Sequence, residues 1–275
     1  MINRSTFSDI DIEIKKSINE ILDKLKENNI NDYVLFLADG EYVGDYESSS
    51  PQLSPYCIDY RIDGYKDQTR LEFLSEFMSQ YYSFKDGLQS TDDNQYRMNL
   101  ELMVYTHIWE SKPFLKKLYR IAHLLNGEEY DWKIQIPDMG KHDFIRCHIR
   151  QIFKDLGFDI WKVIKNGFHT SLRNAFAHSE YSFDTMNNHN RINLYNYGGA
   201  NWELETISFD DWSNRFVYSS ILSFHFLEII YERRTNIIRE LGTDTFQIKH
   251  PKKNGELRLV EIKYRENGDG FSFKR

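Results

Sequence analysis

The chain has 275 residues, of which 40% are hydrophobic and 15% aromatic, so it can bury a sizeable core and lacks the composition of a disordered protein. The formal net charge is −7, and residues 1–110 carry 21 acidic against 10 basic side chains, which argues against constitutive, non-specific nucleic-acid binding by this part. Cys57 and Cys147 lie far apart without a C-x-x-C pattern, which indicates neither a disulfide framework nor a zinc site and favours a cytoplasmic protein. Apolar stretches are too short for an export signal or a membrane span, so no membrane association is expected.

Residues 1–90 predict a mixed α/β region of unassigned role. An amphipathic helix capped by Ser8 is expected over 8–28, because apolar side chains recur there at three- and four-residue intervals: Ile10, Ile14, Ile18, Leu22 and Leu25. The remaining elements of this region are, in chain order, a β-rich run around an Asp-Gly turn (33–44), a loop (47–55), a strand (57–63) and a second helix (67–84).

Residues 91–242 predict a helical bundle interrupted by a hairpin. Periodic apolar positions indicate helices over about 93–109, 112–125, 142–156, 159–180 and 210–241. Gly127 and Gly157 close the second and third of these helices, and Ser208 or Asp210 caps the last. Residues 192–209 predict a polar hairpin that turns at Gly198-Gly199.

Residues 243–275 have strand composition with Asn-Gly and Asp-Gly turns, and they predict a basic C-terminal β-hairpin. This basic end is either a nucleic-acid contact or solvated surface. The fold class is therefore expected to be mainly α (α+β), with an N-terminal α/β region, a central helical bundle with a β-hairpin insertion, and a C-terminal hairpin.

Residues 171–181, SLRNAFAHSEY, place three strong hydrogen-bonding side chains on the fourth helix of the bundle. At about 100° per residue, Arg173 and His178 flank a polar face that also carries Asn174, with the small Ala177 between them. The opposite, core-facing stripe consists of Trp161, Phe168, Leu172, Ala175, Phe176 and Ser179. Thr170 falls on the polar side.

The arginine and the histidine suit metal-free cleavage of RNA. A guanidinium binds phosphate as a planar cation and can stabilise charge on a phosphorane. An imidazole titrates near neutrality, so it can take the proton of a ribose 2′-hydroxyl or protonate the leaving 5′-oxygen. Ala177 would let a substrate or a second backbone come close to both groups.

The segment R-N-A-F-A-H (173–178) resembles the R-x-x-x-x-H signature of the HEPN superfamily, including the polar residue favoured directly after the arginine. The setting is similar too, with a motif near the end of a bundle helix, then a hairpin and a long closing helix. The resemblance implies a metal-independent endoribonuclease without a cofactor, of the toxin or antiviral-defence type. It implies that Arg173 and His178 are catalytic and that Asn174 orients His178 or the phosphate.

HEPN ribonucleases commonly act as dimers whose paired motifs form one site for single-stranded RNA, so the resemblance implies a homodimer or larger assembly. An antitoxin or sensor protein is a further partner of such systems. Some relatives carry a tyrosine two residues after the histidine that the antitoxin adenylylates. Here Tyr181 stands three residues after His178, so this form of control is not expected.

Four further residues are candidate RNA contacts: His169, Arg146, Arg150 and Tyr181. His169 lies one helical turn before Arg173, and Arg146 and Arg150 are spaced to stack on one helix face. The alternatives are a surface histidine, helix-surface charge and an aromatic side chain at a helix end.

Three other clusters of polar residues are candidate sites. His142 and His148 are six residues apart, on opposite sides of a helix, so no metal site is expected there. The cations Lys116, Lys117 and Arg120 form either a phosphate-binding strip or a solvated helix face. Asp39, Glu41, Asp59 and Asp63 hint at a carboxylate site, but Asp-Gly is foremost a turn signal.

The alternative function is a helical module without catalysis that binds RNA or a protein partner. In that case Arg173, Asn174 and His178 form a structural hydrogen-bond cluster at the helix end. Motifs for nucleotide hydrolysis, serine hydrolysis and zinc peptidase chemistry are absent from the sequence.

Overall fold

The computed structural model of the chain describes residues 2–44, 54–59, 61–84, 90–91, 94–186, 189–252 and 254–274. Helices predominate in these ranges and three small antiparallel sheets accompany them, which confirms the mainly α, α+β class. Most of the predicted loop at 47–55 lies outside the described residues.

The helices are, in chain order, α1 (Arg4–Asn28), α2 (Ile30–Leu37), α3 (Arg61–Tyr81), α4 (Gln95–Glu110), α5 (Lys112–Leu125), α6 (Lys141–Asp143), a π-helix (Phe144–Arg150), α7 (Gln151–Asp155), α8 (Ile160–Gly167), α9 (Thr170–Ala177), α10 (Phe209–Thr235) and α11 (Ile237–Leu241). The strands are β1 (Glu41–Tyr42), β2 (Tyr56–Cys57), β3 (Tyr181–Asp184), β4 (Arg191–Leu194), β5 (Thr206–Ser208), β6 (Thr245–Pro251), β7 (Leu257–Arg265) and β8 (Gly270–Phe273).

Helix α1 has the apolar stripe that the sequence predicts. Ile10, Ile14, Ile18, Leu22 and Leu25 are all buried. The cap differs from the prediction, because Asn3 rather than Ser8 begins the helix: the Asn3 side chain accepts the Thr6 backbone N–H at 2.8 Å. An asparagine is as good an N-cap as a serine, so the helix starts one turn earlier.

Helix α2 corrects the β-rich run predicted over 33–44. Asn29 caps this helix by accepting the backbone N–H groups of Asn31 and Asp32, and every residue from Tyr33 to Leu37 is buried between α1, α5 and β6. A short continuous apolar run has no periodicity that separates strand from buried helix. The predicted strand at 57–63 is likewise limited to β2, because α3 begins at Arg61.

Helix α10 lies at the centre of the fold and packs against α1, α3, α4 and α8. The Ser208 side chain accepts the Asp211 N–H at 3.1 Å, which confirms the predicted cap. Buried residues from all three predicted regions belong to one hydrophobic core. The boundaries at residues 90 and 242 stay a prediction, since helices from both sides of residue 90 pack on each other.

Charged residues join the N-terminal elements to α5. The Lys117 ammonium lies 2.8 Å from Asp39 and 2.9 Å from Asp67, and Arg120 donates to Glu41 at 2.8 Å. Burial acts to lower the pKa of Lys117, but the two carboxylates outweigh it and raise that pKa above its ordinary value.

The interpretation of α5 as a phosphate-binding strip or a solvated face is therefore wrong. Lys117 and Arg120 are buried, and Lys116 pairs with Glu41 at 2.9 Å. Their carboxylate partners lie at least 50 positions earlier in the chain, so residue spacing on α5 alone could not reveal the pairing.

The end of the chain forms a three-stranded antiparallel meander, β6-β7-β8, rather than a single hairpin. Its strand β6 packs on α2 through buried side chains such as Ile248. A second meander, β3-β4-β5, precedes α10, and Ile192 of β4 faces Ile207 of β5. The predicted hairpin is thus confirmed, with an additional strand, β3, on its outer edge.

Candidate functional site

The segment 159–180 is two helices, not one. Phe168 and His169 between α8 and α9 are extended, with φ of −87° and −143°. A Cβ on Gly167 would lie 3.0 Å from the Ser219 hydroxyl oxygen, so this glycine lets the end of α8 approach α10 closely. The Tyr105 hydroxyl accepts the His169 N–H at 2.9 Å and holds the break.

The break changes which side chains share a face. Residues 160–167 and 170–177 have independent rotational registers, so the predicted stripe does not continue across them. Thr170 is buried instead of lying on a polar face, and Ser179 is exposed instead of facing the core. Leu172, Ala175 and Phe176 face the core as predicted. An Asn-Gly pair at 166–167 was the sequence signal for the break.

His178 ends α9 at an exposed position. The Glu180 N–H donates to the Ala175 carbonyl at 2.8 Å and the Ser179 N–H donates to the Phe176 carbonyl at 3.3 Å, which together form a Schellman motif. Ser179 has a φ of 58°. Among the described residues no side chain contacts the His178 imidazole through a hydrogen bond or ion pair. The ring is therefore free to meet a ligand or a second chain.

Arg173 lies on the same helix, but its guanidinium is held by a carboxylate. Glu110 at the end of α4 forms an ion pair with Arg173 and a second one with Lys141. Arg173 also donates to the Asn174 side-chain oxygen at 2.9 Å. The Arg173 side chain is 17% exposed to solvent, so part of it stays accessible.

The structure thus brings Asn174 to Arg173. The other predicted role of Asn174, orientation of His178, has no contact to support it. Glu110 and Lys141 were missed in the sequence, and neither carries a local signal, since Glu110 lies 63 positions before Arg173.

His169 is the N-cap of α9, and its ring accepts a backbone hydrogen bond. Nδ1 accepts the Ser171 N–H at 3.2 Å. Burial, and after it the positive charges of Arg215, Arg146 and Arg150, lower the pKa of His169 to about 4. The neutral ring with Nε2 protonated satisfies this contact, because Nδ1 is then an acceptor.

Arg146 and Arg150 lie on the π-helix, both half-buried, and close enough to His169 to lower its pKa. Burial, followed by the neighbouring Arg146, lowers the pKa of Arg150. Within the described ranges neither guanidinium has a hydrogen-bond or ion-pair partner. π-helical turns are frequent at functional sites.

Tyr181, the fourth candidate RNA contact, lies on β3. Its hydroxyl donates to the Asn99 side chain at 3.0 Å and its ring meets Phe176 edge-on. Burial raises the pKa of Tyr181. The described contacts therefore tie Tyr181 to α4 and α9.

The long loop between β4 and β5 packs onto α9 and presents aromatic side chains. The Asn196 amide donates to the Ser171 carbonyl at 2.9 Å, and the Leu204 N–H donates to the Ser171 hydroxyl at 3.2 Å. Exposed aromatic side chains of this loop are Tyr195, Tyr197 and Trp202. The sequence predicts only a hairpin turn at this loop.

No protein-family model, curated protein or solved structure matches this chain. The HEPN resemblance therefore stays a prediction carried by the motif and its setting. No group of three His, Cys, Asp or Glu side chains in the described part of the chain could hold a metal ion. None of the helices described has the length and apolar composition that a membrane crossing requires.

Proposed function

We propose that the chain is a metal-independent endoribonuclease of the HEPN type that cleaves single-stranded RNA, as a toxin or antiviral-defence effector. The observation that carries this proposal is the exposed, unpartnered imidazole of His178 on the same two-turn helix as the guanidinium of Arg173. Ala177 between them is exposed too, so no side chain of α9 screens the histidine.

The chemistry follows from the two side chains. One His178 imidazole takes the proton of the ribose 2′-hydroxyl, and the 2′-oxygen attacks phosphorus. The bond from phosphorus to the 5′-oxygen breaks, and an imidazolium gives that oxygen a proton. The products are a 2′,3′-cyclic phosphate and a 5′-hydroxyl. Arg173 stabilises the additional negative charge on the phosphorane oxygens.

A homodimer supplies the second imidazole. Two open surface pockets, of about 280 and 620 Å³, are lined by other residues, such as Glu13 and Tyr264. A second copy with its own α9 facing the first would enclose the reacting phosphate and bring two Arg173 and two His178 side chains together. A monomer with full ribonuclease activity would contradict this arrangement.

The test is incubation of the purified full chain with total RNA in excess chelator. We expect cleavage by the wild type, 2′,3′-cyclic phosphate ends, and loss of cleavage in His178→Ala and Arg173→Ala. His189→Ala is the matched control, because this histidine is exposed and pairs with Asp184 on β3. Cleavage that persists in folded His178→Ala protein would refute the proposal, and a requirement for a divalent ion would point to another mechanism.

The second candidate function is a binding module without catalysis. It is favoured by the Glu110–Arg173 ion pair, since a guanidinium already neutralised by a carboxylate binds a phosphate less strongly. In this case the chain would bind RNA or a protein partner, and the wild type and His178→Ala would both leave total RNA intact.

A further inference from the structure

Three arginines near the start of α9 have no carboxylate partner among the described residues. Arg146 and Arg150 have no hydrogen bond or ion pair there, and Arg215 donates only to the backbone carbonyls of Lys165 and Phe168, at 3.2 and 3.3 Å. The Nε of Arg215 is buried and unpartnered. Other half-buried or buried arginines of the chain, such as Arg120 and Arg173, are paired with carboxylates.

This concentration of positive charge is unfavourable in the free protein. Arg146 and Arg150 are close enough to repel each other, and both are half-buried, so water screens them less than it screens surface charges. His169 between them and α9 stays neutral because its cap contact needs an acceptor nitrogen. An anion bound at the two guanidinium groups would remove the repulsion.

The loop between β4 and β5, which carries an exposed indole, packs on the start of α9. The Leu204 N–H of this loop donates to the hydroxyl of Ser171, two residues after His169, at 3.2 Å, and Trp202 is 50% exposed. An exposed tryptophan together with unpaired arginines at the start of one helix is the combination that single-stranded nucleic-acid sites use, with phosphates on the cations and a base stacked on the ring.

We propose that Arg146, Arg150 and Trp202 form a strip that binds single-stranded nucleic acid, with phosphates on the two guanidinium groups and a base stacked on the indole. The strip lies beside His169. At 1.5 Å per residue, His169 is about 13 Å from His178 along the axis of α9. The strip would feed a single strand towards Arg173 and His178. The inference rests on the proposed function for its ligand class, but not on cleavage itself.

The proposed strip recognises phosphates and a base, which DNA and RNA share, whereas cleavage requires a ribose 2′-hydroxyl. Single-stranded DNA therefore binds the strip without being cut, and it separates binding from catalysis in the wild-type protein. The probe is a fluorescently labelled DNA single strand of about 12 nucleotides, within the usual range of such sites. Its anisotropy gives the Kd at several salt concentrations.

We expect Arg146→Gln/Arg150→Gln to weaken binding about tenfold or more and to lower the slope of log Kd against log salt by about 1.4, since each phosphate neutralised on a single strand contributes about 0.7. The matched control is Arg258→Gln/Arg265→Gln, which removes two exposed arginines of β7. Unchanged binding in the first variant, or a larger loss in the control, would overturn the proposal and assign binding to the C-terminal sheet.

The stacking contact has its own test. Trp202→Ala should weaken binding of the DNA strand about tenfold, because a stacked base contributes about 1–3 kcal/mol. An abasic strand of the same length should bind wild type and Trp202→Ala equally. The substitution leaves the contacts of this loop with α9 in place, because Asn196 and Leu204 make them. Equal loss on both strands would mean that Trp202 acts through the loop's structure, and would overturn its stacking role.

The two proposals fail in different ways. If wild-type protein does not cut RNA but the DNA strand binds and depends on Arg146 and Arg150, the strip stands and the ribonuclease proposal falls. If the wild type cuts RNA, and Arg146→Gln/Arg150→Gln binds DNA and cuts RNA as the wild type does, the strip is refuted. The ribonuclease proposal is then supported. If the wild-type protein binds neither RNA nor the DNA single strand, the strip is refuted.

Discussion

Glu110 at the end of α4 holds the guanidinium of Arg173 on α9. The same carboxylate also binds Lys141, so one anion lies between two cations and the group of three carries a net positive charge. Glu110 therefore both positions Arg173 and reduces its charge. Which effect dominates decides whether the site is a catalyst or a binding surface.

The first prediction concerns this carboxylate as a positioning residue. Glu110→Gln should lower kcat for RNA cleavage about 100-fold while KM changes little, because a guanidinium displaced by about 1 Å no longer meets the phosphorane oxygens. Glu110→Asp should restore part of the loss. The measurement is steady-state cleavage of a defined RNA oligonucleotide by both variants.

The matched control for Glu110 is Glu129→Gln, which removes a carboxylate from an exposed pair with Lys249. It should leave kcat unchanged. An increase of kcat in Glu110→Gln would contradict the positioning role and show that the carboxylate restrains Arg173.

The second prediction is an acid-dependent loss of stability from His169. Its folded pKa of about 4 lies below the ordinary value of 6.5, so a proton binds the unfolded chain more tightly. The stability contributed by the neutral ring is complete above pH 6.5 and is lost as the pH falls towards 4.

The measurement is the Tm between pH 7 and 4.5. His169→Asn keeps a good N-cap without a titrating group, so its Tm should fall less steeply with acid than that of the wild type. His189→Asn should follow the wild type, because His189 is exposed and caps no helix. Parallel curves for wild type and His169→Asn would argue against a neutral cap.

The third prediction concerns the left-handed residue at the end of α9. Ser179 has a φ of 58°, a conformation that glycine adopts without the penalty of a Cβ. Ser179→Gly should raise the free energy of unfolding by about 0.5–1 kcal/mol in a urea titration. Ser8→Gly is the opposite control, since Ser8 lies within α1 and a helical glycine lowers stability by about 0.5 kcal/mol. A decrease in Ser179→Gly would contradict the Schellman end.

The fourth prediction separates buried from exposed ion pairs on α5. Lys117→Met leaves the Asp39 and Asp67 carboxylates without their cation in a buried place, so the free energy of unfolding should fall by about 3–5 kcal/mol. Lys112→Met removes a pair with Asp138 in which both side chains are more than half exposed, and should change it by less than about 1 kcal/mol. Urea unfolding of both variants measures the two changes in the free energy of unfolding. Equal changes would show that the Asp39 and Asp67 carboxylates do not stabilise the position of α5.

Local signals in the sequence predicted much of the secondary structure. The apolar spacing of α1, the bounds of α5 and the Ser208 cap of α10 agree with the structure, because periodicity and capping act within a few residues. The motif residues were also found on an accessible helix end.

The misassigned elements depend on contacts between distant segments. Residues 33–37 of α2 are buried on every side because α1, α5 and β6 surround them, so this run has no amphipathic signature. The break between α8 and α9 depends on Tyr105 of α4 and the close approach to Ser219 of α10.

The sequence by itself determined a helical, α+β chain with an arginine and a histidine five positions apart near the end of one helix. Only the tertiary structure decided that Glu110 binds that arginine, that His178 stays unpartnered, and that Lys117 is buried against Asp39 and Asp67. The physical reason is how far apart in the chain the interacting residues lie. Hydrogen bonds that cap a helix join neighbours in the chain, whereas the partner of a charge is whichever side chain the packing of the helices brings within a few ångströms.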